Sequence, residues 1–283
     1  MTSGVAKVAI DETCQPFMRE EIGVFESLYG DADIQETYLS DEDAFSLLLK
    51  DSVRLIVAAR DFTQAERDKL KENKLLSRSN KIAVDAVALI IHGNRKDTLM
   101  SVPALKKILT GSITDWNQVS PGSKLGKIRV VFDKPTSSTV RFLQEKVCDN
   151  EPFGKDIKAL PSSEEVIDFV AKTPNALGIV GAAWVSDPKD TLSLKFINRI
   201  KVMAVCPIED ARDDNSYLPQ AAWIALDYYP LTRDIYVLTS DAPEHLPSGF
   251  MNFLGGDKGQ RLILKSGIVP ANRPTRLVSM KPE

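Results

Sequence analysis

Histidine and cysteine are scarce in this chain: its 283 residues include two histidines, His92 and His245, and three cysteines, Cys14, Cys148 and Cys206. The thiols form no Cys-x-x-Cys pair and show none of the familiar zinc spacings. Neither histidine lies near a carboxylate cluster, so no metal centre is expected. An odd number of thiols also argues against a complete disulfide framework. The Gly-x-Ser-x-Gly elbow, the phosphate-cradling P-loop and the dinucleotide fingerprint are all missing, which removes parts that the corresponding enzymes need. No apolar run approaches the ~18 residues of a membrane span. Nor does one charge dominate: 36 Lys and Arg stand against 39 Asp and Glu, a net charge of −3. The basic residues are dispersed, so nucleic acid is not an expected partner. No signal segment stands ahead of the first apolar run, which follows directly on Met1-Thr2-Ser3-Gly4, so the N-terminus does not name a compartment.

What is present is an ordinary globular composition, 43% apolar and 27% charged, on a chain longer than one core usually supports. Two lobes are the expectation. Val5 to Ile10, Ile34 to Leu39 and Val53 to Ala59 read as strands. Each is followed by a helical pattern: one with Pro16 in its first turn, one capped by Ser40 with Asp43 at the acidic third position, and one over 64–72. This β-α-β-α-β-α order predicts a mostly parallel sheet with ligands at the carboxyl ends of its strands. Thr13, Ser40, Arg60 and Asp61 fall at those ends. Lys81 to His92 is long enough to run from one lobe into the other, and Ile200 to Val205 reads as the return crossing. Asn175 to Gly181 reads as a strand in which Gly178 and Gly181 permit close backbone approach.

The stretch 128–142 carries the strongest chemical signal. An apolar run ends at Asp133, and four hydroxyl residues, Thr136 to Thr139, open a helix with Arg141 close behind. Such a start leaves backbone N–H groups unpaired and carries partial positive charge. Ser137, Ser138 and Thr139 then suit either of two roles, capping the helix or holding an oxyanion.

Several segments, in order and along nearly the whole chain, resemble the periplasmic phosphate-binding proteins of ABC transporters. They are Leu105-Lys-Lys-Ile-Leu-Thr-Gly-Ser-Ile-Thr-Asp-Trp-Asn117, Ala176-Leu-Gly-Ile-Val-Gly181, Tyr229-Pro-Leu-Thr-Arg-Asp-Ile-Tyr236 and Gly259-Gln-Arg-Leu-Ile-Leu-Lys-Ser-Gly-Ile-Val-Pro270. The resemblance implies an α/β, two-lobed periplasmic-binding-protein type II fold. Each lobe would be a mixed, mostly parallel sheet flanked by helices, and two crossover segments would join them. The expected division is 1–90 and 203–283 for the first lobe and 91–202 for the second. It further implies inorganic phosphate, or a similar oxyanion, as guest, ABC transporter permease subunits as partners, no cofactor and no catalysis. An extracytoplasmic or periplasmic monomer is expected, with a lipid anchor as one form of tether. Cys14 is not the anchoring residue, because it sits inside the first strand-helix junction.

The ligand shell implied by the resemblance comprises Thr13, Ser40, Asp61 or its neighbour Arg60, Ser137, Ser138 and Thr139. Asp61 would take the family's acidic role, accepting a hydrogen bond that protonated phosphate can donate and ionised sulfate cannot. Two departures stand out. The family's Arg-x-x-x-Ser-Gly-Thr reads Asp133-Lys-Pro-Thr-Ser-Ser-Thr139 here, so the arginine is Asp133 and the glycine is Ser138. The usual Gly-Ser-Gly loop is Tyr38-Leu-Ser-Asp41. Arg141 or Arg60 is left to supply the cation. A two-lobed fold with an altered or lost ligand, acting as sensor or scaffold, is the alternative.

Overall fold

The structure, a computed structural model, describes residues 1–186 and 199–272. β1 (Gly4–Asp11) pairs in parallel with β2 (Ala32–Leu39) and with β3 (Leu55–Ala58). The connections run through α1 (Gln15–Leu28) and α2 (Asp41–Leu49), and α3 (Gln64–Glu72) follows β3. All of β3 is buried, as a parallel strand covered on both faces should be. Its alternation divides it: Leu55 and Val57 join Phe17, Phe25 and Phe250 in one apolar cluster, while Ile56 and Ala58 join Phe45, Leu48 and Leu70 in another.

From there β4 (Arg78–His92) runs the length of the molecule. The second lobe follows with β5 (Leu99–Ser101), α4 (Val102–Leu109), α5 (Trp116–Val119), β6 (Arg129–Phe132), α6 (Ser138–Phe142), β7 (Lys158–Ala159), α7 (Ser163–Lys172), β8 (Ala176–Gly181) and α8 (Ala183–Ser186). After the undescribed residues come β9 (Ile200–Val202), β10 (Ala204–Cys206), α9 (Ala221–Ala225), β11 (Thr232–Thr239), α10 (Leu246–Gly255), α11 (Asp257–Lys265) and β12 (Val269–Pro270). The main sheet has the order β2-β1-β3-β11-β4-β8-β6-β7, with β9 and β12 also on β4; β10 pairs separately with β5.

Two expectations change here. Ile200 to Val205 is not one crossing strand. It breaks at Met203, β9 staying on β4 and β10 turning to β5. The return between lobes is β11, antiparallel to both β3 and β4. Met203, Val205, Ile224, Tyr229 and Leu231 pack with the second lobe's core, so material expected in the first lobe belongs to the second as far as the start of β11. The outer parts of the expected ranges, residues 187–198 and 273–283, lie outside the described residues.

The four segments that carry the resemblance have structural explanations. Tyr229 donates to the Val87 carbonyl at 2.7 Å, which seats the entry to β11 on β4. Gln260 donates to the carbonyls of Ile82 and Leu254, tying α11 to the sheet. Trp116 is fully buried and donates its indole N–H to Asn175 O at 2.9 Å. Gly178 lies between β4 and α7, where an added Cβ would sit 2.5 Å from Val170 Cγ2 and 2.8 Å from Ile90 Cγ1. Gly178→Ala is therefore expected to destabilise the fold by about 1–3 kcal/mol through overpacking. Urea unfolding would read this as a lower midpoint at unchanged slope.

Candidate functional site

The carboxyl ends of β1, β3, β6 and β8 meet where the two lobes face each other. After β1, Asp11 Oδ1 accepts from both the backbone N–H and the hydroxyl of Thr13, each at 2.9 Å. The Thr13 hydroxyl lies 3.4 Å from Ser138 Oγ, a contact between residues 125 apart in sequence. Both side chains are sealed from solvent. Gly181, at the end of β8, lets this happen: a Cβ there would stand 3.0 Å from the Thr13 Cβ and 2.9 Å from Arg233 Nη2.

Arg233 is the buried cation of this region. Its Nη1 donates to Ser138 Oγ at 2.9 Å, and its Nε and Nη2 donate to Asp85 Oδ2 at 3.2 and 2.9 Å. Burial works against its charge, but Asp85 and Asp11 more than offset that, so its proton is held more tightly than an ordinary arginine's. Arg141, on α6, reaches across to Asp41 at the start of α2, 2.6 Å away, and to Ala59 O at 3.2 Å. Burial and the nearby Asp11 raise the proton affinity of Asp41 in spite of Arg141. Glu12 makes a third bridge: its carboxylate accepts from Ser163 N and Oγ, at 3.1 and 2.9 Å, and so caps α7 of the opposite lobe. Burial pushes the Glu12 carboxyl up as well.

The expected residues divide into three groups. Thr13, Ser138, Thr139 and Arg141 are brought together, with Thr139 buried directly behind Ser138. Ser40 and Ser137 lie at the same junctions but act as caps. Ser40 Oγ accepts from Asp43 N and donates to its carboxylate, while Ser137 Oγ accepts from Val140 N and donates to Asp133 at 2.5 Å. Arg60 and Asp61 are drawn away by the capping of α3. Arg60 forks onto Glu66 at 2.7 and 2.8 Å and lies 3.5 Å above the Phe45 ring; Asp61 accepts from Arg67 and from Phe62 N. Arg60 remains near enough to Asp41 to lower its proton affinity.

Sequence reasoning passed over Arg233 and Asp85. Arg233 was visible inside the Tyr-Pro-Leu-Thr-Arg segment, but only the strand register sets it opposite Asp85. Asp11 and Asp41 were also missed; each is an acidic residue at a strand end or helix start, where capping is the ordinary role. Among the described residues no group of histidines, cysteines or acidic side chains is arranged to hold a metal ion. What the cleft offers is hydroxyls, two arginines and the start of α6, facing several carboxylates.

Two lobes around such a junction define the two-lobed periplasmic-binding-protein fold. The chain belongs to the PBP superfamily domain family, whose model matches residues 2–258. A curated relative, "Phosphate-binding protein PstS" of Borreliella burgdorferi, is 22% identical over 222 residues, covering 76% of this chain and 72% of its own. A solved structure from Clostridium perfringens with bound phosphate has a TM-score of 0.78 at 19% identity, covering 95% of this chain and all of that one. An ABC-type phosphate transport receptor from Vibrio cholerae has a TM-score of 0.69 at 18% identity, with 94% and 100% covered.

Asp133 gives this site a pH dependence. Burial raises its carboxyl to about 7, with Glu12 and Asp11 adding to the effect and the Ser137 hydrogen bond opposing it. The folded chain thus keeps a proton that the unfolded chain releases at lower pH, so stability from this group is complete in acid and is lost as pH rises through about 7. Asp133→Asn is expected to be more stable than the parent at about pH 8 and to show a flatter stability profile from about pH 5 to 8. Thermal melts across that range check it.

Proposed function

We propose that this chain captures inorganic phosphate between its lobes and delivers it to the membrane subunits of an ABC transporter. It works outside the cytoplasm as a monomer, free or lipid-tethered, and performs no chemistry. The observation that carries this reading is the meeting of Thr13 and Ser138 across the lobes, with Arg233 donating to the same hydroxyl. Donors from both halves at one buried point are what hinge closure around a small anion requires. The names borne by the relatives support the same guest.

Features bearing on catalysis favour binding instead. His92 Nδ1 accepts from Asn94 N, and His245 pairs with Asp241, so the imidazoles are engaged in local turns and not with the cleft hydroxyls. Cys14, beside Thr13, is fully buried, and burial pushes its thiol well up, which suppresses the thiolate a nucleophile needs. A sensor or scaffold with a changed ligand is favoured by one observation: Glu12 and Asp133 place carboxylates in the cleft where the family pattern has an arginine.

Phosphate at a large excess over its dissociation constant is expected to raise the melting temperature, because a ligand that binds only the folded state stabilises it. Thr139→Val keeps the shape and removes a buried hydroxyl that bonds no other described residue. It is expected to leave the melting temperature of the free protein nearly unchanged and to weaken phosphate binding about tenfold. Thermal melts check the first and titration calorimetry the second; no heat with phosphate on protein stripped by unfolding and refolding would remove phosphate capture.

A further inference from the structure

Ser138 Oγ, at the start of α6, lies between two other elements. It accepts from Arg233 Nη1 of β11 at 2.9 Å and stands 3.4 Å from the Thr13 hydroxyl, just past β1. The direction of these contacts follows from what each group has to give. A guanidinium only donates, and a hydroxyl carries one proton. Thr13 gives its proton to Asp11 Oδ1 at 2.9 Å, so toward Ser138 it is left as an acceptor. The Ser138 proton therefore points across the lobes to Thr13, while a lone pair faces Arg233. The relay runs one way, from Arg233 to Ser138 to Thr13 to Asp11.

Little room surrounds this relay. Thr13 and Ser138 are not exposed at all, and Arg233 is 6% exposed. Beside them lies the backbone of Gly181, where a Cβ would already stand 3.0 Å from the Thr13 Cβ and 2.9 Å from Arg233 Nη2. Asp85 holds Nε and Nη2 of Arg233, so Nη1 is the part of the guanidinium turned toward α6. Its acceptor there is an oxygen that the protein itself supplies.

Resting on the phosphate reading above, we propose that Ser138 is an affinity-setting residue whose hydroxyl stands in for an oxygen of the guest. It accepts from Arg233 and joins the lobes, as an anion oxygen held at the same point would. A guest oxygen reaches Arg233 Nη1 only when the Ser138 side chain has turned to another rotamer. Charge favours that exchange, because an ionised oxygen is a stronger acceptor for a guanidinium than a neutral hydroxyl. The two contacts that Ser138 gives up oppose it. Glycine, which the family pattern has at this position, would leave Nη1 without the competitor. A hydroxyl that instead donated to the guest would strengthen binding, so the two roles differ in sign.

The test is Ser138→Gly in the whole chain, titrated calorimetrically with inorganic phosphate beside the unmodified protein, with thermal melts of both free forms. The variant is expected to bind phosphate at least about tenfold more tightly, since a hydrogen bond to a charged group no longer has to be broken. Its melting temperature is expected to fall, because Arg233 Nη1 loses a buried acceptor. Packing damage alone lowers the melting temperature without tightening binding, so the two are told apart. Binding by the variant alone also supports the stand-in role. Unchanged or weaker binding by a folded variant, while the unmodified chain binds, overturns that role and leaves phosphate capture standing. Absence of binding by both proteins overturns capture itself. If the variant does not fold by circular dichroism, a crystal structure of the unmodified chain with bound phosphate decides. A phosphate oxygen within hydrogen-bond distance of Arg233 Nη1, with Ser138 turned away, supports the proposal; Ser138 Oγ still on Arg233 overturns it.

Discussion

Asp85 and Arg233 stand directly opposite each other in the antiparallel ladder of β4 and β11, 3% exposed or less in their side chains. On β4, Ala83 belongs to the first lobe's core and Ala86 to the second's; on β11, the segment passes from Leu231 in the second core to Ile235 in the first. The pair therefore occupies the point where both crossing strands leave one core and enter the other. A charged pair in such a place is costly to desolvate and strongly destabilising to break on one side only. Its worth here is geometric: with Asp85 accepting from Nε and Nη2, the remaining Nη1 is aimed at Ser138.

That arrangement sets a guanidinium beside Ser138 in a junction where position 133 is an aspartate. The cation comes from the crossing strand instead of the β6–α6 junction, and Asp133 turns inward to the Ser137 hydroxyl. The exchange is not electrically neutral. Glu12, Asp41 and Asp133 all hold their protons more tightly than usual, chiefly because they are buried, with the charge of Asp11 adding to each.

The alternation of strands and helices over the first 75 residues was legible because apolar runs mark β1 and β3 and hydroxyl caps open α2 and α3, as Ser162 does for α7 in the second lobe, while α1 starts with a proline in place of a side-chain cap. Positions near strand ends were legible too, since strand direction alone fixes them. What the sequence could not convey is which side chains at those ends turn inward. Arg60 has the same local setting as a ligand arginine, yet Glu66, in the capping box of α3, lies within reach and claims it. The pairing of Arg233 with Asp85 spans 148 positions and depends on register. The break at Met203 depends on a partner strand, β5, that is only three residues long.

Contacts across the cleft are polar at every point described above: Glu12 with Ser163, Arg141 with Asp41, Thr13 with Ser138. The large apolar clusters lie mostly within the lobes, with Ala183 of α8 packing into the first lobe's cluster, and the paired strands β4 and β11 run between them. Separating the lobes would therefore expose groups that water can solvate while leaving the apolar cores intact. Such an opening is small in free energy compared with unfolding. A guest that satisfies polar atoms on both sides binds the closed form selectively, and it shifts the balance only by that difference in affinity. Glu12 and Arg141 already bridge the gap with the protein's own charges.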